Sequence, residues 1–177
     1  MKLYSHPFDT PFGLMRIAVA EDGTLIRLIF PNEHAIWAAE IERRQHEILP
    51  DSAAAQSICQ PILAQLAEYF AGERQQFTIT VGPVGTPFQL SVWAALQTIP
   101  YGKTISYAQL AELIGNPPAR RAVGHANGAN PIPIVIPCHR VIGAHGQLTG
   151  FGGGLALKAG LLTLEGATAP LQTAFTF

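Results

Sequence analysis

Two β-rich runs open the hydrophobic pattern of this chain, Gly13 to Ala20 and Thr24 to Phe30, and they flank Glu21-Asp22-Gly23. Asp-Gly between such runs predicts a hairpin. The spacing then becomes helical. Asn32 stands where it can cap a helix through roughly Ile48, with Ile36, Trp37, Ile41 and Ile48 on its apolar side and Pro50 ending it. A second helix is predicted over about Ser57 to Ala71, with Ile62, Leu66, Tyr69 and Phe70 at helical spacing and Gly72 as its stop. Gln76 to Val81 reads as a strand, and Gly82-Pro83-Val84-Gly85 as an interdomain linker.

Beyond the linker the pattern predicts short helices. Thr86-Pro87-Phe88-Gln89 is a capping box with proline at the first helical position, followed by Phe88, Val92, Leu96 and Ile99 on one face. Pro100-Tyr101-Gly102 breaks the chain. Ser106 to Gln109 is a second capping box, opening a helix through Ile114. Gly115-Asn116-Pro117-Pro118 makes a turn, and a third helix runs to about Asn127, which gives a helix-turn-helix pattern. Gly128 to Pro137 cannot be helical, because Pro131 and Pro133 disfavour helix in the residues before them. The apolar residues 132–136 are expected to carry a strand-like segment inward to Cys138. A glycine-rich loop, Gly150 to Gly154, and a last helix over about Leu155 to Glu165, stopped by Gly166, complete the pattern. The expected organisation is a mixed α/β domain over 1–81, a linker at 82–86 and a mainly helical domain over 87–177.

Composition narrows the classes. In 177 residues no apolar run is long enough to span a bilayer, and the opening residues lack the apolar core of a signal peptide. Two cysteines do not make a secreted disulfide framework, so a reducing cytoplasmic setting is expected. Six histidines and two cysteines form no CxxC or HxxxH pair, and no metal is expected. The net charge of −1 hides an asymmetry. Residues 1–85 carry six Lys/Arg against ten Asp/Glu, and residues 86–177 carry five against two. The basic second half is compatible with a polyanionic partner, although ordinary surface drift produces the same balance.

The chemistry concentrates at Cys138-His139-Arg140, after the apolar run 132–136. A thiolate is the strong nucleophile, and a neighbouring base or cation decides whether a cysteine becomes one. The base needs a third group to orient it. The second half offers only Glu112 and Glu165 as carboxylates, and Glu165, at the C-terminal end of its helix, is the better candidate because a buried cation would offset its clash with the helix dipole. The competing reading of Cys138 is an inert core cysteine.

The run Asn130-Pro-Ile-Pro-Ile-Val-Ile-Pro-Cys138-His139-Arg140-Val closely resembles the active-site signature of the O6-alkylguanine-DNA alkyltransferases. The match continues in register through Tyr101-Gly-Lys-Thr-Ile-Ser106-Tyr107, Gly115-Asn116-Pro117, Arg121-Ala122-Val123-Gly124, the glycine loop, and Leu155-Ala-Leu-Lys158 to Glu165-Gly166. It spans essentially all of 86–166. The resemblance implies an α+β protein with a ribonuclease H-like N-terminal domain and a helix-turn-helix domain. It implies direct, single-turnover repair: Cys138 takes the alkyl group from O6-alkylguanine, and from O4-alkylthymine, in nucleotides flipped out of double-stranded DNA. His139, through a water, and Glu165 would withdraw the thiol proton. Tyr107 would bond guanine N3 and protonate the leaving base. Asn130 would brace the turn before the cysteine segment. Carbonyls near Cys138 and Val141 would read the exocyclic amine, and the Gly152 amide would face O6. Arg121 would fill the vacated place in the duplex, with Ala122 and Ala126 letting the helix approach the minor groove. Phe151 would form a pocket wall, and Lys158 falls among the matched substrate- and DNA-binding positions. No cofactor is implied, and a monomer is expected.

The chain departs from the family pattern at three places: Phe151 where tyrosine is usual, Gly152 where some members carry a larger residue, and His125 in a helix where small residues are common. Rival readings are a non-reactive lesion-binding relative, a cysteine hydrolase using Cys138 and His139, and a transcription factor with an incidental cysteine. The first replaces the acceptor cysteine, which is present here; the second would need an oxyanion hole and a base reaching across the fold; the third leaves Tyr107, the glycine loop and the proline strand unexplained.

Overall fold

The computed structural model describes residues 1–49 and 52–167. The described residues divide into two compact units, Met1–Gly85 together with Pro131–Val135, and Thr86–Asn130 together with the described residues from Ile136 onward.

The first unit is built on a four-stranded sheet of order β3-β2-β1-β4. β1 (Lys2–Thr10) and β2 (Gly13–Ala20) are antiparallel, β3 (Leu25–Ile29) adds antiparallel to β2, and β4 (Glu47–Leu49) adds parallel to β1. The hairpin predicted around Asp22-Gly23 is therefore present, with Gly23 at a φ of 85° that side chains resist. β1 was not legible, since Pro7 interrupts it. Pro7 is tolerated because β4 pairs only with Lys2 to Tyr4, leaving that edge unpaired beside the proline. Leu3, Ala18, Ile29 and Trp37 form a buried cluster.

Two helices pack with this sheet, and both differ from expectation. The first is shorter: a 3-10 turn at Pro31–Glu33 leads into α1 (His34–Arg44), whose N-cap position is Glu33 rather than Asn32. Gln45 takes the left-handed conformation and His46 N–H donates to Ile41 O, closing the helix early. Ile48 then lies in β4, where strand pairing outweighs the helical spacing. Ile36 is 62% exposed, and Trp37 takes the buried position. Pro50 lies outside the described residues. α2 (Ala53–Phe70) begins earlier than expected because Ser52 caps it, its hydroxyl accepting from Ala55 N–H. Cys59 lies fully buried on this helix with Ile62, Leu66 and Tyr69. Residues 76–81 are not a strand; one parallel bridge joins Val81 to Leu25. The Gln65 side chain instead bonds both the backbone N–H and the hydroxyl of Thr78, holding the segment to α2.

The second unit carries the expected helices. α3 (Pro87–Leu96) starts at the Thr86–Gln89 capping box, and α4 (Tyr107–Leu113) at the Ser106–Gln109 box. A 3-10 turn at Pro117–Ala119 leads to α5 (Arg120–Gly128), which completes the helix-turn-helix. Trp93, buried on α3, donates its indole N–H to Ala126 O at 2.8 Å and ties α3 to α5. β5 (Ile105–Ser106) and β6 (Val141–Ile142) form a two-residue parallel pair, and α6 (Leu155–Leu164) ends the described chain, with Gly166 at a φ of 63°.

The segment before Cys138 is buried as expected but is not a strand. Ile134 has a φ of 74°, a left-handed conformation costly for a β-branched residue, and the chain turns there. Asn130 Nδ2 donates to Ile136 O at 2.7 Å across that turn. The prolines exclude helix, but they do not enforce extension.

Candidate active site

Cys138 begins a buried 3-10 turn, Cys138–Arg140, directly followed by β6. It is 4% exposed. Its own N–H donates to Ile136 O at 2.8 Å, and its carbonyl accepts from Asn127 Nδ2 at 3.4 Å and from the Val141 N–H. Two asparagine side chains thus hold the backbone around the cysteine, Asn127 at Cys138 O and Asn130 at Ile136 O.

His139 and Glu165, 26 residues apart, meet with both side chains fully buried: Nε2 lies 2.8 Å from Oε1. Arg140 grips the same carboxylate, Nε to Oε2 and Nη2 to Oε1, each at 2.9 Å. Gly102 N–H adds a fourth contact, to Oε2 at 3.1 Å. Burial pushes the Glu165 carboxyl upward, but the hydrogen bonds and charges of His139 and Arg140 overcome it and hold the group well below the usual carboxylate range. An ionised carboxylate only accepts, so His139 Nε2 carries the proton and donates. The bare nitrogen is then Nδ1, which is buried and meets no hydrogen-bond partner among the described residues. Burial also lowers the His139 pKa, with Glu165 working against that shift, so the ring is a neutral base near pH 7.

Two further groups complete the cluster. Lys158, on α6 and fully buried, donates from Nζ to Val141 O at 2.6 Å and to Thr149 O at 2.8 Å. Burial lowers its pKa from 10.5 to about 8. Tyr107, first residue of α4, donates from its hydroxyl to the same Thr149 carbonyl at 3.3 Å. Burial raises its pKa, so it keeps its proton at neutral pH. Gly124 of α5 sits against the Tyr107 ring, where an added Cβ would stand 3.8 Å away.

The family model for the 6-O-methylguanine DNA methyltransferase DNA-binding domain matches residues 87–167, and that for its ribonuclease-like domain matches residues 3–83. A Methanosarcina acetivorans protein named methylated-DNA–protein-cysteine methyltransferase is 42% identical over 165 residues, 93% of this chain and 99% of its own length. The chain belongs to the 6-O-methylguanine DNA methyltransferase family. A constitutive Bacillus subtilis methyltransferase of the same name is 44% identical, over 89% of this chain and 92% of its own. The fold matches a crystal structure of Mycobacterium tuberculosis OGT in complex with DNA, with a TM-score of 0.79, 41% identity, and coverage of 95% and 96% of the two chains.

The structure gathers Cys138, His139, Glu165, Val141 and Lys158, all buried, with half-buried Tyr107 and Asn130, around the 3-10 turn. One expected position needs correction. Ala126 is 3% exposed and packs inward with Val123 and Asn127, so it cannot line an approach to DNA; helical periodicity places Arg121, Ala122 and His125 on the open face instead. Lys158 is no surface cation. Its ammonium bonds two carbonyls inside the unit. Phe151 is half-buried and Gly152 exposed on the glycine loop. The carbonyls expected to read the base already have donors, Cys138 O from Asn127 and Val141, and Val141 O from Lys158. Sequence reasoning missed Arg140, Gly102 and Thr149 as site residues. Arg140 had a visible signal in its adjacency to His139, whereas the contact made by Thr149 is through a backbone carbonyl and has no side-chain signature.

Among the described residues no three His, Cys, Asp or Glu side chains group as metal ligands, and no helix is long and apolar enough to cross a membrane.

Proposed function

We propose that this protein repairs DNA directly, accepting on Cys138 the alkyl group of O6-alkylguanine. The carrying observation is that His139, directly after Cys138 in sequence, is buried against Glu165 and keeps one bare imidazole nitrogen inside the site. The relatives named methylated-DNA–protein-cysteine methyltransferase support the reaction class, and the relative solved with DNA supports the partner.

The chemistry balances with the side chains present. The Cys138 proton passes through a water to His139 Nδ1, and Glu165 stabilises the imidazolium that forms. The thiolate attacks the alkyl carbon in line, the S–C bond forming as the C–O6 bond breaks with its electron pair leaving on oxygen. Tyr107 donates its phenolic proton to guanine N3, and the N-terminal end of α4 steadies the resulting phenolate. The thioether product resists water, so each molecule reacts once. O4-alkylthymine presents the same alkyl–oxygen bond and is the second substrate.

The substrate base must leave the stack to reach a thiol this buried. Arg121, exposed on α5, enters the place left in the duplex from the minor-groove side, with Ala122 beside it. Phe151 and Gly152 border the flipped base. The protein acts as a monomer in the cytoplasm. The test is stoichiometry. Duplex DNA carrying O6-methylguanine is mixed with limiting protein, and intact guanine is counted. One lesion should disappear per protein molecule and no more. Continued turnover would contradict the acceptor mechanism and favour a hydrolase.

A further inference from the structure

We infer that Arg140 is a positioning residue for alkyl transfer: anchored on the Ile99 carbonyl, its two-pronged grip fixes the Glu165 carboxylate and thereby the His139 tautomer that takes the thiol proton. The inference rests on Cys138 being the acceptor and adds a residue whose task is to set the base.

The geometry carries it in three steps. Arg140 Nη1 donates to Ile99 O at 2.6 Å, its guanidinium lies over the Tyr101 ring at 5.8 Å, and the side chain is almost wholly buried. The group is therefore fixed before it meets Glu165. Its Nε and Nη2 then take one lone pair on each carboxylate oxygen, the planar fork that only arginine supplies. With Gly102 N–H also on Oε2, the direction left for His139 on Oε1 is restricted to the observed 2.8 Å contact. A carboxylate held this way cannot rotate to release Nε2, so Nδ1 stays the basic nitrogen.

The charge acts as well. The charged groups felt by His139 are Glu165, Arg140 and Lys158, and the titratable neighbours of that cluster are Cys138, Tyr101 and Tyr107. Glu165 favours the imidazolium; Arg140 and Lys158 oppose it. Without Arg140, Glu165 would face His139 with much less compensation, and the ring would hold a proton at higher pH and stop serving as a base there.

The experiment measures single-turnover methyl transfer from the free base O6-methylguanine across pH, which leaves DNA binding out. In wild type the rate falls at acid pH as His139 becomes protonated. Arg140→Met should move that acid limb upward by about one pH unit, the scale expected for losing one charge a few ångströms away in a protein interior. Arg140→Lys keeps the charge and loses the fork, so its limb should stay near wild type while its plateau rate drops about tenfold, the loss expected when a general base is misaligned. An Arg140→Met limb coincident with wild type overturns the inference. If that variant does not fold, 15N-histidine spectra of Arg140→Lys carry the test: wild type should show His139 protonated on Nε2 alone, and the variant a mixture of tautomers, whereas identical spectra overturn the inference. A wild-type protein that gains no methyl group on Cys138 would instead sink the reading of the site itself.

Discussion

Lys158 and Tyr107, on different helices, donate to one and the same acceptor, the carbonyl oxygen of Thr149, at 2.8 and 3.3 Å. That shared oxygen sits immediately before the glycine loop, so the buried ammonium sets where both the loop and the phenol lie. Lys158→Met should therefore lower the transfer rate to the free base about tenfold or more, by misplacing the proton donor. DNA affinity and its salt dependence should not change, because the ammonium is not on the surface. A salt slope reduced by about one would place Lys158 on a phosphate instead.

Glu165→Gln keeps the shape of the carboxylate and removes its charge. The loss leaves Arg140 as an uncompensated buried cation, which costs on the order of 3–5 kcal/mol. Transfer should slow by about a hundredfold or more, since the base loses its orienting partner. Denaturant titration and single-turnover rates check the two effects separately.

The same pair fixes the sign of a pH dependence. Glu165 is held below its unfolded value, so its contribution to stability is present above about pH 4 and is lost as pH falls further. His139 is also lowered, and it is the unfolded chain that takes up its proton first, so stability begins to fall once pH drops below about 6.5. Thermal melts from pH 8 to 2 should show two stages of loss, the first missing in His139→Asn. A melting temperature flat across pH 7 to 5 would contradict the buried neutral ring.

Gly102 has a φ of 71°, and a Cβ there would stand 2.8 Å from the Glu165 backbone oxygen. Gly102→Ala should cost about 1–3 kcal/mol through strain and displacement of Glu165. Its neighbour Lys103, exposed, provides the control: Lys103→Ala should stay within about 0.5 kcal/mol.

On the open face of α5, Arg121 and His125 lie one turn apart. Arg121→Ala should slow repair of duplex lesions much more than reaction with the free base, the signature of a residue that supports a flipped nucleotide. Equal slowing on both substrates would remove that role.

The site was legible where chemistry is local. Cys138-His139 announced itself by adjacency, and Glu165 by the scarcity of carboxylates in the second half. The capping boxes at Thr86 and Ser106 fixed two helix starts, because a capping box is a four-residue local signal. What failed was set by distant contacts. Ile48 leaves its helix for a strand paired with β1, and Ala126 turns inward, its carbonyl accepting from Trp93 on α3. The left-handed Ile134 has no signature in a β-branched residue. β5 and β6 are two residues each, too short to carry a period.

Acceptance of the alkyl group by Cys138 is the step on which the proposed function stands. Intact-protein mass spectrometry after incubation with O6-methylguanine duplex DNA measures it directly. The predicted result is a gain of one methylene per molecule, mapped by peptide digestion to Cys138 and absent in Cys138→Ala. A methyl group found on Cys59, or no gain in mass under reducing conditions, would contradict it.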